Sequence, residues 1–245
     1  MTLSFEEAEA LVYEFCDTYP GASAVTFVIG ETQEELYGPH ATREAEGTIL
    51  GSYNPREGRA LFASANFPSD DEFKRSLRHE ILGHFGINTF NRSEKRALLG
   101  AIMEARSVPS VEPLWQHVDR NYPDISEIRK AEEVYAFACE RIEPGMLIDH
   151  NLCVQSFLDV CIDQVRPLEL HDLRNITALV AEGLHDRTRS QKIFPEANTD
   201  QFKLSVDPLD VEPSLEDQLA AQESVGASQE PQRDEEYVEE PSMEM

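Results

Sequence analysis

Apolar positions near the start of the chain recur at helical spacing: Phe5, Ala8, Leu11, Val12 and Phe15 fall on one stripe. Ser4 and Glu7 are spaced as a capping box, and Tyr19-Pro20-Gly21 supplies a stop, so the pattern predicts a helix over about residues 4–19. The period then changes. Ala24–Ile29 (AVTFVI) is short, apolar and rich in β-branched residues, which predicts a buried strand, and Gly38-Pro39 breaks the segment after it. Gly47–Tyr53 (GTILGSY) and Arg59–Ala65 (RALFASA) flank NPREG and predict a β-hairpin turned by Pro55 and Gly58. Ser69 is then placed to cap a helix from about residue 70. Asp70, Asp71 and Glu72 form its negative first turn, and Phe73, Leu77, Ile81 and Leu82 its apolar side.

Beyond Phe90 the spacing is helical throughout. Predicted helices cover Ser93–Ala105, Val111–Asn121 and Ile125–Ile142, the last stopped by Pro144-Gly145, then about 147–165 and 168–189, split at Pro167. Helix, strand, hairpin and helix in that order open a small α+β domain. We expect that domain to occupy residues 1–145, with a helical extension packed on it over 146–195. From 196 to 245 Pro, Glu, Gln and Ser dominate, too little apolar surface remains to offset chain entropy, and a disordered acidic tail is predicted.

Charge changes the picture next. The formal net charge is −26, and fourteen acidic against two basic residues lie from Asp200 onward. Such a field repels phosphate backbones, so direct nucleic-acid binding is not expected, while the tail could attract a basic partner. The four cysteines, Cys16, Cys139, Cys153 and Cys161, form no CxxC pair and read as free thiols, mostly buried. The opening MTLSFEEAEA lacks a signal-peptide core, and no stretch approaches the ~18–20 apolar residues of a membrane span, so a soluble cytoplasmic protein is expected.

Candidate chemistry concentrates in SLRHEILGHFGI, residues 76–87. His79 and Glu80 begin as H-E-x-x-H does, but position 83 is Gly and the second histidine is His84. Residues four apart on a helix differ by ~40° in azimuth, whereas five apart differ by ~140° and point to nearly opposite faces. A regular helix cannot bring His79 and His84 to one ion. A π-type widening near Leu82-Gly83 can, and Gly83 tolerates dihedrals that other residues resist. Catalytic zinc also needs a third protein ligand, from another element. AEEVYAFACE, residues 131–140, offers Glu133 as that ligand. Glu132 could hydrogen-bond the back of a ligating imidazole, and small Ala136 would permit close helix approach.

HEILGH followed by EEVYA resembles the paired motifs HELLGH and EECRA[ED] of the dipeptidyl peptidase III family of zinc peptidases. The hairpin and HEILGHFGI also resemble the zincin-like metallopeptidase domains of large phage and plasmid polyvalent proteins. The resemblance rests on two short motifs and their order; nothing here matches the second lobe of dipeptidyl peptidase III, and Phe137 stands where that family has an acid. It implies a zincin-like fold, one Zn²⁺ per chain held by His79, His84 and Glu133, and Glu80 as general base. It implies hydrolysis of a peptide bond in a protein or peptide substrate, in a plasmid or phage setting, and suggests Arg59–Ala65 as an edge strand for an extended substrate. For the oxyanion, His150, His171, Tyr135 and Tyr53 stand open as donors; His40, His117 and His185 carry no assigned role, and Trp115 reads as core. The alternative is a non-catalytic acidic protein that imitates DNA and occupies the basic clefts of restriction enzymes, on an inactive zincin scaffold.

Overall fold

The computed structural model describes residues 2–41, 48–142 and 149–193. The tail expected over 196–245 and part of the segment expected to begin the hairpin's first strand lie outside these residues. Helix α1 (Phe5–Thr18) opens with the expected capping box between Ser4 and Glu7. Its Ala8, Leu11, Val12 and Phe15 are buried, while Phe5 stays exposed at the first turn. Strand β1 is Thr26–Gly30, and a short helix α2 (Gln33–Tyr37), which the hydrophobic pattern does not announce, follows under a Thr32 cap.

Strands β2 (Gly51–Asn54) and β3 (Arg59–Ala63) form the expected hairpin, with Tyr53 opposite Ala60 and Asn54 opposite Arg59. Gly58, at φ +60°, completes the turn in a conformation that favours glycine. β1 pairs parallel to β3, Thr26 opposite Arg59 and Gly30 opposite Ala63. The order is therefore β1-β3-β2, with β3 in the middle. This corrects the expectation for Arg59–Ala65: both edges of β3 are already hydrogen-bonded, so no substrate can add to it. Among the described residues the strand with an outer edge towards the candidate motif is β2.

Helix α3 (Asp70–Leu77) is capped by Ser69 and continues without a break into a π-helical segment, Arg78–Phe85. Phe73 packs on Phe62 and Phe67, with ring centroids 5.3 and 4.9 Å apart, and so holds the sheet against α3. Leu77, Ile81 and Leu82 continue the same buried side. Then come α4 (Arg92–Glu104), with an Asn91–Glu94 capping box, α5 (Glu112–Asn121) and α6 (Glu127–Cys139). α7 (His150–Phe157) runs into a second π segment, Leu158–Ile162, and α8 is Leu170–His185. Among the described elements the first π segment packs most extensively against α6, and α8 packs on both. The small sheet near a helical body is an α+β arrangement.

Cys139, Cys153 and Cys161 are buried free thiols, and Cys16 is half-buried. Trp115 is buried, as expected, and donates from Nε1 to Ile102 O at 3.3 Å. No helix among the described residues is long and apolar enough to cross a membrane.

Candidate metal centre

The π segment answers the spacing problem. With one residue absorbed by the wider turns, His79 and His84 share a face, and their ring centroids lie 5.0 Å apart. Gly83 is part of this solution for a reason other than dihedral freedom, because its φ is not positive. A Cβ built there would lie 2.7 Å from Ala136 Cβ and 2.8 Å from Ala136 Cα. Real Cβ contacts are not that short, so Gly83 and Ala136 together set how closely α6 approaches the π segment.

That approach brings Glu133 to the histidines. His79 Nε2 lies 3.4 Å from Glu133 Oε2, and His84 Nε2 lies 3.5 Å from Glu133 Oε1. One ligand atom from each of His79, His84 and Glu133 falls within 4.8 Å of the other two; among the described residues, this group could hold a metal ion. The opposite ring nitrogens are held by carboxylates. His79 Nδ1 is 2.9 Å from Glu140 Oε1, and His84 Nδ1 is 3.4 Å from Glu132 Oε1. Each Nδ1–H can thus donate to an acid, leaving Nε2 free to face Glu133, the tautomer that a metal requires.

Glu140 escaped the sequence reading. Its signal was present: Glu133, Ala136 and Glu140 are spaced i, i+3 and i+7 and lie on one helical face. Where the resembling family has an acid, Phe137 instead lays its ring edge-on to His79, centroids 4.9 Å apart, and Glu140 on the next turn contacts that imidazole. Lys95 was also missed. Only 2% exposed, it donates from Nζ to Glu132 Oε2 at 3.0 Å and to Asn88 Oδ1 at 3.1 Å. Asn88 Nδ2 donates to His84 O at 2.7 Å, which closes a ring from the His84 imidazole to its own carbonyl.

Electrostatics follow the geometry. Burial opposes charge on His79, but Glu133 and Glu140 overcome it and raise its pKa well above the ordinary value. His84 is raised too: burial again opposes charge, and Glu133 and Glu132 outweigh it. Burial would raise Glu132, yet the Lys95 and His84 charges hold it well below the usual carboxylate range. Glu133 is lowered against its burial by the two imidazoles. Burial pushes Glu80 up, against the pull of His84 and His79, while its carboxylate takes a backbone hydrogen bond from Tyr53.

Among the described residues, four buried side-chain oxygens have no hydrogen-bond partner, and two of them, Glu80 Oε2 and Glu133 Oε2, belong to this site. An unpaired buried carboxylate oxygen costs about 1–3 kcal/mol or more, so the site is short of a positive or donating group where two imidazole nitrogens and a carboxylate converge. A nitrogen-rich set with one carboxylate suits zinc. The residues present could hold a metal ion.

The side-chain groups considered for the oxyanion are engaged elsewhere. His150 contacts Glu182 and His171 contacts Glu169 and Asp172, all at exposed imidazoles. Tyr135 is buried beside Cys139 and Thr177. Tyr53 sends its hydroxyl to Gln191 and brings only its backbone to Glu80.

No family model matches the chain, and no solved structure matches it. Among curated proteins, DNA primase TraC of Escherichia coli is 40% identical to it over 214 residues, which cover 81% of this chain and 14% of that protein. The chain thus corresponds to a small part of that relative's length.

Proposed function

We propose that this chain is a zinc-dependent peptidase acting on a protein or peptide, with His79, His84 and Glu133 as the ligands. The observation that carries the reading is the convergence of three ligand atoms within 4.8 Å, beside a buried Glu80 oxygen with no partner. Zinc, when bound, supplies a Lewis acid that polarises a carbonyl and makes water acidic enough to be deprotonated near neutral pH. Glu140 and Glu132 keep the protons of His79 and His84 on Nδ1 and fix both ring planes. Glu80 takes a proton at its carboxylate, a role for which its burial suits it, and passes that proton to the departing amide nitrogen. Tyr53 N–H keeps the Glu80 carboxylate turned towards the site.

The likeness to part of a DNA primase gives the reading a setting. A chain of net charge −26 is a poor direct ligand for DNA, so we read the shared stretch as a peptidase module that accompanies DNA-handling machinery on a mobile element, in the cytoplasm. The test is metal analysis of the purified wild type beside His84→Ala and Glu133→Ala, followed by cleavage of an unfolded general substrate with Glu80→Gln as control. Stoichiometric zinc in the wild type alone, and cleavage lost on Glu80→Gln with zinc retained, are expected. Equal metal in all three proteins would overturn the ligand assignment. A chain trimmed after Phe194 should still cleave; no cleavage by the wild type, with binding of a basic partner that survives Glu80→Gln and weakens as tail and surface carboxylates are neutralised, would favour the DNA-mimic alternative.

A further inference from the structure

The chain leaves α8 through Arg187, whose φ of +57° places a non-glycine residue in the left-handed region and reverses the backbone. The next six residues run back over the metal centre's surroundings. Arg189 lies so close along α8 that a Cβ on Gly183 would meet its side chain at 2.5 Å. It donates from Nη1 to Thr89 Oγ1 at 3.2 Å, and its guanidinium stacks 4.4 Å from the Phe90 ring centre. The backbone N–H groups of Lys192 and Ile193 donate to Asn88 O at 2.8 and 3.3 Å. Gln191 reaches the other wall. Its Oε1 accepts from the Tyr53 hydroxyl at 2.7 Å, and its Nε2 donates to Pro55 O at 2.7 Å and to Ile193 O at 2.8 Å.

The two walls joined in this way carry different parts of the site. Asn88 holds the His84 carbonyl and Lys95; Tyr53 belongs to β2 and holds Glu80 through its N–H. The register assigns that N–H its direction. Ala63 N donates to Leu50 O at 3.1 Å, so the pairs alternate to leave the Gly51 and Tyr53 backbone groups facing away from β3, and β2 packs on the π segment. Among the described residues β2 has a strand neighbour on one side only, and its other side packs on the π segment through side chains rather than through the sheet.

We propose that Gln191 is a positioning residue that clamps β2 against the segment after α8, and thereby sets where Tyr53 N–H holds the Glu80 carboxylate. This rests on the metal-centre reading, because it assigns Gln191 to the base and leaves the three ligands alone. The Tyr53 ring stays in place by its edge contact with Phe85, centroids 5.7 Å apart, so Tyr53→Phe removes the hydroxyl tie while keeping the packing.

The experiment compares the zinc-loaded full chain as wild type, Gln191→Ala, Tyr53→Phe and the double variant. Amide hydrogen exchange is read residue by residue, alongside zinc content, kcat and KM. In Gln191→Ala the Tyr53 amide should exchange about tenfold faster while α6 amides keep their rates. Zinc content and KM should hold, and kcat should fall about three- to tenfold. The double variant should be no worse than the more damaging single one, since both cut one tie. An unchanged Tyr53 amide in Gln191→Ala, additive effects in the double variant, or acceleration spread through α6 would each overturn the proposal. A wild type that binds no zinc would instead overturn the ligand reading, while the exchange comparison would still decide whether Gln191 clamps β2.

Discussion

Among the described residues there are two π segments, and only one of the two has the makings of a site. Arg78–Phe85 places His79 and His84 on one face, opposite a helix whose Ala136 lies against Gly83. Leu158–Ile162 is wound in the same way, closed by Asp163 N donating to Leu158 O at 2.8 Å, but its buried residues are Val160 and Cys161, and Leu158 and Ile162 face outward. Its Asp159 is engaged by Gln155, and burial pushes the Cys161 thiol up to about 12. A widened turn is therefore a geometric opportunity. It becomes able to hold a metal when the absorbed residue brings two possible ligands into line and the facing helix can come near enough to offer a third.

The largest effect that would sharpen this contrast is loss of the third ligand. Glu133→Ala should weaken zinc binding by more than the roughly 10–100-fold expected for partners that only orient ligands; competition with a chelator of known affinity measures it. Glu140→Gln should fall within that range, since an amide can still accept from His79 Nδ1 but no longer brings a negative charge. Gly83→Ala tests the close approach itself. The added methyl meets Ala136 backbone as well as side chain, so about 1–3 kcal/mol of stability should be lost in denaturant titration, together with zinc affinity. The matching change in the second π segment, Cys161→Ala, should cost about 1 kcal/mol and leave zinc binding untouched. If Cys161→Ala also released zinc, the two segments would not be independent and the comparison would break.

pH sharpens it further. In the metal-free protein His79 and His84 carry raised pKa values, since their carboxylate partners outweigh burial. Protons must leave before the ring nitrogens can bind a metal, so apparent zinc affinity should fall as pH drops and begin falling above the usual histidine range. The same groups stabilise the metal-free fold at pH below their unfolded value of ~6.5, and this is lost as pH rises through the folded values. Metal-free protein should therefore melt lower as pH is raised through that range, a trend that bound zinc should reverse.

Much of this was legible in the chain. Spacing arithmetic on two histidines called for a widened helix if both were to face one ion, because ~140° of azimuth cannot be closed otherwise. Ser4–Glu7, Ser69 and the NPREG turn announced their elements by local chemistry. What stayed hidden depends on contacts between distant residues. The parallel pairing of Thr26–Gly30 with Arg59–Ala63 has no local signature, and it turned an expected edge strand into a central one. Lys95 looked like any surface lysine until α4 packed on α6 and buried it beside Glu132. Glu140 was readable on the helical face of Glu133 and Ala136, but the resembling motif drew attention to Phe137 instead.

Zinc-edge X-ray absorption on the full chain, purified at neutral pH and loaded with one equivalent of zinc, tests the central claim most directly. The expected spectrum shows only nitrogen and oxygen neighbours at about 2.0–2.1 Å, with scattering from two imidazoles that falls to one in His84→Ala. A shell containing sulfur at about 2.3 Å, or a spectrum that His84→Ala leaves unchanged, would contradict it.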